Sequence, residues 1–351
     1  MIAATFFSLV VLTPAFLDAQ SLAAAMELYA HGRFQSAWDN LSGLARTQPQ
    51  DADVLLWLGK TGIKLHRWDD AIRQLERAVA LDPKNGLIHL WLGRAYGGKA
   101  AHSFVLTAHG WARKTRHEFE TASNLAPDNL DIRFDLLDFY CQAPGLLGGG
   151  KDKAEAQARE IAKRDPRMGY LARAQILEDK KEWDQALQEL LQAASKYADC
   201  AGLRVDLAEL YLRRHDYMDA EASARKALAL DASNRAAKLY RAAALVHLRR
   251  DLSDALSVLQ ELAAGPLSDE DPGFEEVYYW LGQAYLASGQ KADARRAFET
   301  SLGFDPDYSR SKQALAQIKS PPDFPDPNAL GILALLCHDS DHVAYPCEWC
   351  R

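Results

Sequence analysis

From residue 52 to 85 the chain reads ADVLLWLGKTGIKLHRWDDAIRQLERAVALDPKN. Two runs of apolar residues at three- and four-residue spacing are followed by Pro83. The spacing predicts two short amphipathic helices. The arrangement returns at 275–308 as EEVYYWLGQAYLASGQKADARRAFETSLGFDPDY, again over 34 residues. Leu58-Gly59 corresponds to Leu281-Gly282, Ala71 to Ala294, Leu75 to Phe298, Ala78 to Ser301 and Pro83 to Pro306. Glycine in the first helix and alanine in the second leave room for a neighbouring helix to approach closely, and Leu75 or Phe298 fills the gap between them. Proline then ends the unit, because it cannot continue a helix interior. Neither helix can bury its apolar stripe alone, so the hairpins must stack.

The small residue of the second helix can be followed as Ala37, Ala71, Thr115, Ala154, Ala186, Ala220, Ala255 and Ala294, with gaps of 34, 44, 39, 32, 34, 35 and 39 residues. With LGRAY at 92–96 and LGQAY at 281–285, the pattern L-G-x2-Y, A-x3-F, P resembles the tetratricopeptide repeat family. The resemblance implies an all-α, right-handed superhelical α-solenoid of about eight helical hairpins. Its units are 18–51, 52–85, 86–129, 130–166, 167–200, 201–234, 236–274 and 275–308. Residues 309–320 (SRSKQALAQIKS) read as a solvating cap helix for the open end of the stack. The solenoid is thus expected over 20–308, with a Pro-rich linker and a Cys/His tail over 321–351.

The excess residues mark insertions. Gly145, Gly150 and Lys151 in QAPGLLGGGKDKA match the G-x-x-x-x-G-K of a phosphate-binding loop, but Asp152 stands where a metal-binding hydroxyl is needed. The preceding run, 130–143, has helical spacing where such a loop follows a strand. The stretch is therefore expected to be a lengthened hairpin turn. A narrower reading stays open: the amides of Gly148, Gly149 and Gly150, with Lys151, holding an anion without catalysis. A second insertion between Tyr96 and Thr115 carries Trp111 and the basic residues Arg113, Lys114, Arg116 and His117. It fits a longer second helix with Trp111 packed beneath it, or a partner-docking lobe. A third, AAGPLSDEDPGFEE at 263–276, reads as a spacer.

The resemblance also implies a concave groove lined by the first helices. Its places fall on Lys60, Lys64, Arg94, Asp138, Gln142, Gln175, Asp179, Glu209, Arg213, Tyr240, Ala244, Tyr279 and Gln283. Such a groove is basic at its N-terminal end, acidic in the middle and aromatic toward its C-terminal end, and suits a protein or peptide of opposite charge order. The family's clamp for chaperone C-termini uses asparagine. Here Lys60, Arg94, Asp138 and Glu209 hold the corresponding places, so that ligand is not expected.

Residues 1–19, MIAATFFSLVVLTPAFLDA, resemble a secretory signal peptide with Ala19 at the cleavage point, but no Lys or Arg precedes the apolar run. An uncleaved anchor or a buried helix are the alternatives, and only the anchor would bring in a membrane. The expected location is periplasmic or secreted, in a bacterium. A net charge of −7 gives no basic surface for nucleic acid. Neither nucleotide nor cofactor is expected, and the absence of H-E-x-x-H and G-x-S-x-G motifs leaves no candidate catalytic set. His66, His89, His215 and His247 fall where a surface or packed imidazole suffices. Cys141 and Cys200 read as small buried hydrophobes. The tail groups Cys337, His338, His342, Cys347 and Cys350, which suit a zinc ion, a Cys347–Cys350 redox or disulfide pair, or an atypical tail.

Overall fold

The computed structural model describes residues 21–319, and every regular element among them is helical. Seventeen α-helices form eight successive hairpins and one closing helix. The first four hairpins are α1 (Leu22–Ala30) with α2 (Phe34–Thr47), α3 (Ala52–Lys64) with α4 (Trp68–Leu81), α5 (Gly86–Ala101) with α6 (Val105–Leu125), and α7 (Leu130–Gln142) with α8 (Lys151–Arg164). There follow α9 (Pro166–Asp179) with α10 (Trp183–Lys196), α11 (Ala201–Arg213) with α12 (Tyr217–Leu230), α13 (Arg235–Leu248) with α14 (Leu252–Ala264), and α15 (Phe274–Ala287) with α16 (Lys291–Phe304). Helix α17 (Ser309–Lys319) packs on α16 and buries Ser311, Ala314 and Leu315. Residues 1–19 and the segment 321–351, with Cys337, His338, His342, Cys347 and Cys350, lie outside the described residues.

The two helices of a hairpin start by different means. Ser21, Asp51, Asn85, Asn129, Asp165 and Asn234 each cap a first helix by accepting from amides of its opening turn. Each such cap contributes about 1 kcal/mol. In five hairpins the second helix has no side-chain cap and follows a tight turn. One residue of that turn is left-handed: Gly32, His66, Lys181, His215 or Gly289.

Packing follows the small residues. Ala37, Ala71, Thr115, Ala154, Ala186, Ala220, Ala255 and Ala294 are each at most 1% exposed, so this series is the spine of the array. Opposite them, Gly59 lies against Leu75, and a Cβ at Gly93 or Gly282 would come within 2.5 Å of Phe119 or Phe298. Leu55, Leu75, Ile88 and Phe298 are fully buried, and each such side chain contributes roughly 1.5–3 kcal/mol. First helices also touch one another: α1 and α3, α3 and α5, α7 and α9, α11 and α13, α13 and α15. They therefore line the inside of the curve.

The curvature brings the end of the array back to its beginning. The segment 263–276, read from the sequence as a spacer, docks on the first hairpins instead. The Leu267 amide donates to the Ala30 carbonyl at 2.8 Å. Asp269 accepts from the Tyr29 hydroxyl at 2.8 Å and from Lys60 Nζ at 2.5 Å. Below it Phe34 meets Phe274 and Phe304 edge-on, with ring centroids 6.5 and 6.0 Å apart. Gly32, at φ +68°, gives these rings their place, because a Cβ there would stand 2.8 Å from Phe274. The acidic character of the loop is thus used against a buried lysine, a contact that local composition does not announce.

Candidate functional site

At the N-terminal end of the inner face, Lys60 is only 5% exposed. Its ammonium lies 3.7 Å from the Trp57 ring and 4.6 Å from the Trp91 ring, with Asp269 on the open side. Burial lowers its pKa, while Asp269 works to keep it charged. Arg94 stacks on Trp91 and binds Asp135 through two hydrogen bonds, of 2.6 and 3.0 Å. Lys64 is half-buried at the seam beside His66 and Phe304. The basic end expected from the sequence is therefore already neutralised at Lys60 and Arg94, by carboxylates 209 and 41 residues away along the chain.

In the middle, the structure brings together Asp138, Gln142 and Gln175. Both amide groups donate to Asp138 Oδ1, at 2.7 and 3.2 Å. Burial pushes the Asp138 pKa up to about 6, against these hydrogen bonds. Asp179 is exposed at the end of α9. A pocket of about 360 Å³ opens here, lined by both long insertions, through Ala108, Ala112 and Thr115 of α6 and Pro144 and Leu147 of the Gly-rich turn, together with Asp138. Trp111 is half-buried and stacks on Tyr96, with centroids 5.7 Å apart, as the packed reading of the insertion expects.

The Gly-rich turn follows helix α7 and contains one 3-10 turn, Gly145–Leu147. Its amides are spent internally. Gly148 donates to the Gly145 carbonyl, Gly149 to Pro144 and Gly150 to Tyr140, at 2.9, 3.3 and 2.9 Å. Lys151 points to Glu155 at 3.8 Å. The anion cradle considered for Gly148, Gly149, Gly150 and Lys151 is therefore not formed. The turn instead seats on Arg116, which donates to the Leu147 carbonyl at 3.2 Å.

Toward the C-terminal end the inner face is acidic. Arg213 reaches Glu178 at 2.9 Å and Glu209 at 3.7 Å, and Arg310 reaches Glu276 at 3.9 Å. Burial raises the pKa of Glu178, and pushes Asp206 and Glu276 up to about 7 each. Glu209 reinforces the last two shifts by its charge. Tyr279 and Gln283 line the adjoining pocket of about 380 Å³ with Glu209, Glu276 and Trp280. Tyr240 is buried, with its hydroxyl raised in pKa by burial and by Glu209. Ala244 is fully buried and offers no side chain to the groove.

Sequence reasoning missed Trp57, Trp91, Asp135, Asp206 and Glu276. They share one signal: each stands three residues before a groove position, at 60, 94, 138, 209 and 279, and so lies on the same helical face. Asp269 gave no comparable signal. Cys141 and Cys200 are half-buried free thiols, and burial pushes the Cys141 thiol up to about 12.

A model described as tetratricopeptide repeat matches residues 28–89 and 247–318, and a second so described matches 205–272. The chain belongs to the tetratricopeptide repeat family. Among solved folds, this repeat protein is similar to yeast Tom70, at 14% identity and a TM-score of 0.56, over 89% of this chain and 65% of that one. It is also similar to a thermophilic tetratricopeptide repeat protein of Thermus thermophilus, at 23% identity and a TM-score of 0.41, over 64% of this chain and 97% of that one. A stretch of 87 residues is 30% identical to rhomboid protease GluP of Bacillus subtilis. It covers 25% of this chain and 17% of that protein. No helix among the described residues is long and apolar enough to cross a membrane.

Proposed function

We propose that this repeat protein is a non-catalytic binding scaffold whose concave face takes a cationic segment of a partner protein, in an extracytoplasmic compartment. The observation that carries the reading is the acidic group of Glu178, Asp206, Glu209 and Glu276, faced by Arg213 and Arg310. Carboxylates kept partly dehydrated gain most from an incoming ammonium or guanidinium, which supplies the charge that water no longer does. The closed basic end favours the same conclusion, since Asp269 already holds the place an acidic ligand would take on Lys60. The apolar run of residues 2–17 supports the compartment.

The test is a fluorescence-anisotropy titration of the full chain with Lys/Arg-rich, Asp/Glu-rich and neutral peptides, repeated on Asp206→Asn/Glu209→Gln/Glu276→Gln. The cationic peptide binds best, and the triple variant weakens it at least about tenfold, or ~1.4 kcal/mol. Equal affinity in the triple variant, or preference for the acidic peptide, overturns the reading. Charge reversal at Lys60 or Arg94 is a poor test, because it strands Asp269 and Asp135 beside new carboxylates.

A further inference from the structure

Three potential ligands from three hairpins converge at the seam. His66 lies in the turn between α3 and α4, His102 follows α5, and Asp307 lies between α16 and α17. One ligand atom from each falls within 4.8 Å of the others. His102 Nδ1 is 2.8 Å from the Gly98 carbonyl, which can only accept, so this nitrogen carries the proton. In the neutral ring, Nε2 then presents its lone pair to Asp307 Oδ2 at 3.2 Å. With a neutral ring two acceptors face each other there, and the cation that joins them is either a proton on Nε2, which makes an ion pair, or a metal ion. The other Asp307 oxygen is held at 2.8 Å by Lys312. Beside this pair, His66 Nε2 stands 3.6 Å from Asp305 Oδ1.

These spacings have a simple meaning. Donors placed about 2.0 Å from a tetrahedral ion stand about 3.3 Å apart, and His102 Nε2 and Asp307 Oδ2 stand 3.2 Å apart. Trp68 closes one side, stacked on His102 with centroids 5.1 Å apart and edge-on to His66 at 5.3 Å. The Nδ1–H of His102 bonded to a backbone carbonyl is the outer contact that fixes a ligating imidazole. Two imidazole nitrogens with carboxylate oxygens suit a divalent first-row transition ion of the zinc type. We propose that His66, His102 and Asp307 bind such an ion, with water completing its coordination, and that the ion ties the second and third hairpins to the end of the eighth.

The proposed ligand set contains no cysteine, and Co²⁺ tells it from a thiolate site, because only thiolates give sulfur-to-metal charge-transfer bands. The experiment titrates the full chain with Co²⁺ and Zn²⁺, following the visible spectrum and the thermal midpoint, alongside His66→Gly, His102→Ala and Asp307→Asn. Glycine suits the His66 backbone at φ +55°, so that variant removes a ligand without disturbing the turn. The expected result is d–d bands without thiolate charge transfer, and a midpoint that rises with Zn²⁺. Each variant weakens binding by at least about 100-fold and loses the rise. Absence of binding, affinity unchanged in the three variants, or a spectrum carried only by thiolate charge transfer overturns the proposal.

Discussion

Replacing Asp269 by alanine removes the carboxylate that faces Lys60 at 2.5 Å and accepts from Tyr29 at 2.8 Å. Stripping one partner from a fully buried ion pair costs about 3–5 kcal/mol. Here the Asp269 side chain is 27% exposed, which screens the pair. Lys60 also keeps the rings of Trp57 and Trp91 at 3.7 and 4.6 Å, each worth about 1 kcal/mol. The expected loss is therefore about 2–3 kcal/mol at neutral pH. Urea unfolding followed by tryptophan fluorescence measures it, as a shift in midpoint at constant slope. Lys60→Met/Asp269→Ala should recover most of the loss, because no buried charge remains. The sign with pH follows from Lys60, whose folded pKa lies below its unfolded value and falls further without Asp269. Its contribution is fully present above the unfolded pKa and is lost as pH falls through the folded one, so Asp269→Ala is least harmful near about pH 10. A single variant within about 0.5 kcal/mol of the parent at pH 7, or a double variant no better than the single, refutes the reasoning.

Three further expectations concern the array itself. Asp206 and Glu276 have folded pKa values of about 7, raised by burial, so their stabilising contribution is present below the unfolded carboxylate pKa and is lost as pH rises through 7. Asp206→Asn and Glu276→Gln should each gain on the order of 2 kcal/mol relative to the parent between pH 5 and pH 8, read from paired urea titrations. Gly282→Ala should be destabilising by about 1–2 kcal/mol, because its methyl meets Phe298 within 2.5 Å. Gly303→Ala, with nothing within 4 Å, should gain up to about 1 kcal/mol, both glycine variants being read from urea unfolding curves beside the parent.

The repeat was legible because its signal is local. Gly59, Gly93 and Gly282 stand where second helices crowd first helices, and the Ala series lies in one buried spine. These are facts of spacing within a hairpin, which a one-dimensional reading can find. The groove was legible only as a set of positions. Lys60 and Arg94 lie on the expected face, but their partners are 209 and 41 residues away, in the closing loop and in the next hairpin, and a helical period says nothing about contacts between hairpins. The same limit hid the role of the loop at 263–276 and the meeting of His66 with Asp307. For the glycine turn the sequence showed which backbone shapes are available; where each amide then sends its hydrogen bond depends on the carbonyls of Tyr140 and Pro144.

The docking of Leu267 and Asp269 on the first hairpins makes hairpin number a geometric constant of this molecule. An open stack tolerates gain or loss of internal units, since each touches only its neighbours. Here, deleting or duplicating any hairpin from the second to the seventh would rotate Phe274 and Phe304 away from Phe34 and leave Lys60 without its counter-charge. Unequal recombination between repeats, the usual route by which such arrays lengthen and shorten, is thus penalised in this chain by closure itself.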